Sequence, residues 1–86
     1  MPLLINEEEI ALLPNAIDVI YEREALVSML QRYLRIGYPP AARIMERLEL
    51  LGIVASFEGA AGKPRQILMT KTEALDKLKE REAAYE

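Results

Sequence analysis

Arg43, Glu46 and Arg47 follow one another at helical spacing in the run AARIMERLELLG, and their types suit one kind of chemistry. An arginine presents two parallel N–H groups that match the O6 and N7 edge of guanine, and a carboxylate can accept from cytosine N4. On a wheel of about 100° per residue, Ala42, Arg43, Glu46 and Leu50 point to one side, with Arg47 and Glu49 flanking it. Ala41, Ile44, Met45, Leu48 and Leu51 form an apolar stripe on the other side. Four more cations stand close in sequence: Arg32 and Arg35 in LQRYLRIG, and Lys63 and Arg65 in EGAAGKPR. Cations at a loop tip suit phosphates, which position a protein on a duplex without specifying its sequence. Periodicity alone also allows a solvated helix face for Arg43, Glu46 and Arg47, with local ion pairs contributing about 0.2–0.5 kcal/mol each. Arg35 equally suits the negative end of the helix before it.

Other chemistries are poorly served. The chain has no cysteine and no histidine, which removes disulfides, thiolate nucleophiles, thiolate or imidazole zinc sites and the usual general base at neutral pH. No nucleophile–base pair can be assembled from what remains, so the expectation is a protein that is not an enzyme and holds no metal or cofactor. GAAGKP has two residues between its glycines and a proline after the lysine, so it cannot cradle phosphates as a G-x-x-x-x-G-K-[ST] loop does. Glu7, Glu8 and Glu9 read as a solvated first turn matched to the helix dipole. No apolar run approaches the roughly 20 residues that cross a bilayer, and the N-terminus lacks a basic stretch followed by an apolar one. A cytoplasmic chain without membrane contact is expected.

Charge is segregated. Residues 1–27 hold six acids and a single arginine, whereas residues 28–65 hold six cations and three acids. The net charge of −3 therefore conceals a basic middle of the kind that faces phosphate.

The elements that must position these residues can be read in order. With 86 residues only one core is available. Residues 1–13 form an acidic segment, read as a short helix with Asn6 as N-cap; PNAIDVIYERE is a second helix with Ala16, Ile17, Ile20 and Tyr21 on one face. Ala25 to Val27 is a brief extended piece. Ser28 and Gln31 read as a capping box that starts the next helix at Ser28, and Gly37 as the left-handed residue that stops it. Tyr38 is expected to pack under the turn, and Gly52 to close the helix of residues 39–51. Met29, Met45 and Met69 read as core filler. IVASF and QILMT are two short strands joined by a basic-tipped loop. Thr70 and Glu73 make a capping box for a last helix carrying Ala74, Leu75, Leu78 and Tyr85.

The fold class is thus mainly α with a small β-hairpin: a winged helix-turn-helix over residues 14–70 with an added C-terminal helix over 71–86. In that arrangement the second helix of the pair, about residues 39–51, enters the major groove, and the hairpin tip, residues 58–65, lies on the backbone.

SMLQRYLRIGYPPAARIMERLELLGIV and the later GKPRQIL resemble the gamma domain at the C-terminus of FtsK and SpoIIIE DNA translocases, over about residues 16–68. The resemblance implies a winged helix that binds short, G-rich, polar double-stranded DNA sequences, orients a translocase motor in chromosome segregation, and contacts a site-specific recombinase. It further implies base-reading roles for Arg43 and Glu46 and basic contact roles for Arg32, Lys63 and Arg65. One departure stands out: the family pattern has Asn-Arg where this chain has Pro39-Pro40. Proline is tolerated in a first helical turn, but an amide and a cation are lost. The alternative is a winged helix that makes protein contacts through the prolines, Leu50 and the terminal helix.

Overall fold

The computed structural model describes residues 7–56 and 62–84. Among these the protein is mainly helical: α1 (Glu7–Ala11), α2 (Leu13–Glu22), α3 (Val27–Leu34), α4 (Tyr38–Leu50) and α5 (Lys71–Ala84). Asn6, Tyr85 and residues 58–61 of the expected loop tip lie outside the described residues.

The apolar stripes foreseen for α2 and α4 are the ones buried. Ala16, Ile17 and Ile20 of α2 meet Ala41, Ile44, Met45 and Leu48 of α4 in one core, closed by Leu30 of α3, Ile53 and Val54 after α4, and Ala74 and Leu78 of α5. Burying each large aliphatic here contributes about 1.5–3 kcal/mol. α3 packs between α2 and α4, α5 lies along α2, and the short α1 leans on both α2 and α4. Polar links fasten α5 and the residue two before it to α2. The Tyr21 hydroxyl donates to the Met69 carbonyl at 2.7 Å, and Lys71 reaches Asp18 at 2.8 Å and Glu22 at 3.7 Å.

α5 begins as the sequence indicates. Thr70 N–H donates to Glu73 Oε1 at 2.9 Å and Glu73 N–H donates to Thr70 Oγ1 at 3.2 Å, a reciprocal capping box. The backbone amide and hydroxyl of Thr70 hold the Glu73 carboxyl below its ordinary range.

α3 begins differently from expectation. Leu26, extended at φ −122° and ψ 141°, is its N-cap, and no side chain caps the helix. The Ala25 carbonyl accepts from the Arg65 amide at 3.1 Å, and the Leu26 carbonyl then accepts from Met29 and Leu30. Fixing the extended piece at Ala25 starts the helix one residue earlier than Ser28, which is left exposed in the first turn.

The end of α3 also differs. The left-handed residue is Arg35, at φ 55° and ψ 51°, while Gly37 has φ −74° and serves as the N-cap of α4. The Ile36 amide reaches back to the Gln31 carbonyl at 3.2 Å, the long bond of a Schellman ending. α4 ends by the same device, with Gly52 at φ 78° and the Ile53 amide on the Leu48 carbonyl at 3.0 Å. One left-handed position is thus taken by glycine and the other by arginine, the stereochemically costly choice.

Pro39 and Pro40 fall in the first turn of α4, whose first intrahelical bond runs from the Ala41 amide to the Gly37 carbonyl at 3.2 Å. Their missing N–H groups would have had no partner within the helix. Tyr38 does not pack under the turn: it is 62% exposed, standing ahead of Ala41, where the buried stripe starts.

In place of two strands, the described residues show a single antiparallel bridge between Val54 and Ile67. It is flanked by bonds from Ala55 N–H to the Gln66 carbonyl and from Leu68 N–H to the Ile53 carbonyl, both 2.9 Å. The ladder stops at Arg65 because that residue's amide turns to Ala25 instead.

Candidate nucleic-acid interface

Burial of Ala41, Ile44, Met45 and Leu48 turns Arg43 and Glu46 outward on α4. Glu46 is exposed and Arg47 half-buried beside it. Arg43 is not simply solvated. Its Nε donates to Glu9 Oε1 at 2.9 Å and its Nη2 donates to Glu9 Oε2 at 2.6 Å. The Glu9 side chain is 5% exposed and that of Arg43 36%. The hydrogen bond to Glu9 raises the Arg43 pKa above its ordinary value, so the cation is fixed at any accessible pH.

Glu9 overturns the reading of residues 7–9 as a wholly solvated turn. Glu7 and Glu8 are exposed, but Glu9 is buried. The signal was present in the spacing: Glu9 stands three and four residues before Leu12 and Leu13, on the face that α1 turns to the core. A carboxylate there is almost never buried without a partner; its partner lies 34 positions away, where no local pattern reaches.

The second basic pair of the sequence separates into two environments. Lys63 is exposed and follows Gly62, whose φ is 80°. Arg65 is only 13% exposed; its guanidinium pairs with Glu49 of α4 and donates a longer bond to the Ala55 carbonyl at 3.4 Å. Ser56 Oγ donates to the other Glu49 oxygen at 3.1 Å. Glu49, read from the sequence as a flanking charge, is therefore the anchor of the returning chain.

On α3, Arg32 is exposed, with its guanidinium 5.6 Å from the Tyr33 ring centroid, and Arg23 approaches the same ring at 4.8 Å. Arg35, the first residue of the three-residue connection between α3 and α4, is exposed as well. The structure therefore brings Arg43, Glu46 and Arg47 onto one helix face and leaves Arg32, Arg35 and Lys63 exposed, whereas Arg65 is drawn inward. No helix of the described residues is long and apolar enough to cross a membrane, and among those residues no three Asp or Glu side chains converge as a metal site.

Comparison with known proteins places the chain in a family. A family model described as the Ftsk gamma domain matches residues 7–70. DNA translocase FtsK of Caldanaerobacter subterraneus subsp. tengcongensis is 48% identical over 80 residues, covering 92% of this chain and 11% of that protein. The corresponding protein of Clostridium tetani is 46% identical over 67 residues, covering 77% of the chain and 9% of the relative, and that of Chlorobaculum tepidum 42% over 60 residues, covering 70% and 7%. The chain thus spans about a tenth of the length of these curated relatives. No solved structure matches it. The match begins at Glu7, so that α1 and its Glu9 fall within the recognised unit, and the chain belongs to the FtsK gamma domain family.

Proposed function

We propose that this chain is a non-enzymatic, double-stranded-DNA-binding winged-helix module that works for a translocase motor on cytoplasmic DNA. α3, its three-residue connection and α4 form the helix-turn-helix; the Val54–Ile67 bridge and the Arg65–Ala25 bond form the base of the wing. α4 lies in the major groove with Arg43 and Glu46 toward the bases, and Arg47 at the groove edge. Arg32, Arg35 and Lys63 meet phosphates, while Arg65 holds the wing against α4 through Glu49. The observation that carries this reading is the outward face of α4. There a half-exposed guanidinium and an exposed carboxylate stand one turn apart on one helix, the pair of groups best suited to a G·C edge. Pro39 and Pro40 present no hydrogen-bond donor, which confines the charged readout to Arg43 and the residues after it.

Anisotropy titrations against random and G-rich duplexes test the reading. Wild-type protein should prefer one duplex class, and Arg43→Ala should relax preference at one base pair by about 5- to 150-fold, the worth of a bidentate contact. Equal affinity of wild type and Arg43→Ala for every duplex would overturn it. A second reading, a protein-contact module with a recombinase or a motor subunit as partner, is favoured by Tyr38 and Leu50, 62% and 60% exposed at the two ends of α4. Under that reading neither Arg43→Ala nor Lys63→Ala alters DNA affinity.

A further inference from the structure

We propose that Glu9 is a specificity-positioning residue: it grips Arg43 by its side-on edge so that the end-on edge of the guanidinium is held out toward a guanine. This rests on the DNA-binding reading above and adds to it a residue from another helix.

A guanidinium carries five N–H groups on fixed edges. The two bonds to Glu9 use Nε and one proton of Nη2, both on the side-on edge. Nη1 and the second Nη2 proton form the end-on edge, a further pair of parallel donors that Glu9 leaves unused and that also matches O6 and N7. The burial of the pair is asymmetric in the required sense. Glu9 is 5% exposed and anchored by the packing of α1 on α2 and α4, whereas Arg43 is 36% exposed. The carboxylate is therefore the fixed partner and the guanidinium the outward one. A long, unrestrained arginine would lose rotamer freedom on contacting a base, and a two-point grip removes that loss before the DNA arrives. The grip also offsets the charge of Arg43, so its effect falls on discrimination between bases and little on phosphate attraction.

The test starts from a duplex enriched out of a random-sequence pool by the full chain, in which each G·C pair is exchanged in turn for A·T. Wild type should lose about 5- to 150-fold at one G·C pair. Arg43→Ala should be indifferent to that exchange. Glu9→Gln should lose most of the discrimination at the same pair while binding random duplex as well as wild type or better, and should change nothing further when combined with Arg43→Ala. Retention of full discrimination by Glu9→Gln, with Arg43→Ala indifferent, overturns the positioning role and leaves the DNA reading standing. Tighter binding of the enriched duplex by Glu9→Gln without lost discrimination would make Glu9 a competitor of DNA. Failure of the pool to enrich, or full discrimination by Arg43→Ala, removes both readings together. Since Glu9 is buried, the wild-type protein supplies a second measurement that needs no folded variant. The Arg43 Nε–H resonance should stay in slow exchange on adding the enriched duplex, and its release from Glu9 in the complex would contradict the proposal.

Discussion

The Arg65 guanidinium donates to the Glu49 carboxylate across 16 positions of sequence, fastening the segment after Gly62 to the last turn of α4. The Arg65 backbone amide is held as well, by the Ala25 carbonyl. One residue thus ties three parts of the chain together, and its side chain is 13% exposed.

Removing that link should weaken the fold more than the DNA contacts. Arg65→Ala is expected to lower stability by roughly 1–3 kcal/mol, the range for hydrogen bonds to charged groups whose partner is left behind. A double-mutant cycle with Glu49→Ala should give a coupling of about 0.5 kcal/mol or more in urea unfolding. Additive effects would show that the pair contributes nothing.

Lys63 should behave in the opposite way. It is exposed, so Lys63→Ala should leave the melting temperature unchanged. It should weaken all duplexes alike, lowering the salt slope of binding by about 1. A loss confined to one sequence would contradict its assignment to phosphate.

Arg35 holds a left-handed backbone conformation, which costs an ordinary residue about 1–2 kcal/mol. Arg35→Gly relieves that strain at the expense of greater freedom in the unfolded chain, about 0.4–1 kcal/mol. The net should be a more stable protein by roughly 0.5–1 kcal/mol in urea unfolding, with weaker DNA binding if the cation is there for phosphate. A variant less stable than wild type would show that the Arg35 side chain itself supports the turn.

The cap of α5 makes the protein sensitive to acid. The Glu73 carboxyl is held below its ordinary value of 4.5 by the Thr70 amide and hydroxyl. The unfolded chain therefore takes up this proton at a higher pH than the folded one. The stabilisation is complete above about 4.5 and is lost as pH falls through the lower folded value. Thermal melts between neutral and strongly acid pH should show a smaller acid loss for Glu73→Gln than for wild type; identical losses would remove the cap from the account. At neutral pH, Thr70→Ala should cost about 1 kcal/mol.

The sequence was most legible where the information is local. Periodicity located the buried faces of α2 and α4, and the Thr70–Glu73 spacing located a cap that forms as written. It failed where a distant partner decides. Ser28 lost the start of α3 because Ala25 is fixed by Arg65, and Gly37 lost the left-handed role to Arg35. Arg65 stands beside Lys63 in sequence as a loop-tip cation, yet Glu49 draws it inward. The spacing of Glu9 to Leu12 and Leu13 marks its burial, but its partner, Arg43, comes 34 positions later. The outward face of α4 was legible, whereas the carboxylate gripping it was not.

The most direct measurement is the salt dependence of duplex binding by the full chain. With Arg32, Arg35 and Lys63 on phosphates, log K should fall against log salt concentration with a slope of about −3, each neutralised phosphate contributing about −0.9. Absence of binding at low salt, or affinity indifferent to salt, would contradict the claim that this face of the protein lies on DNA.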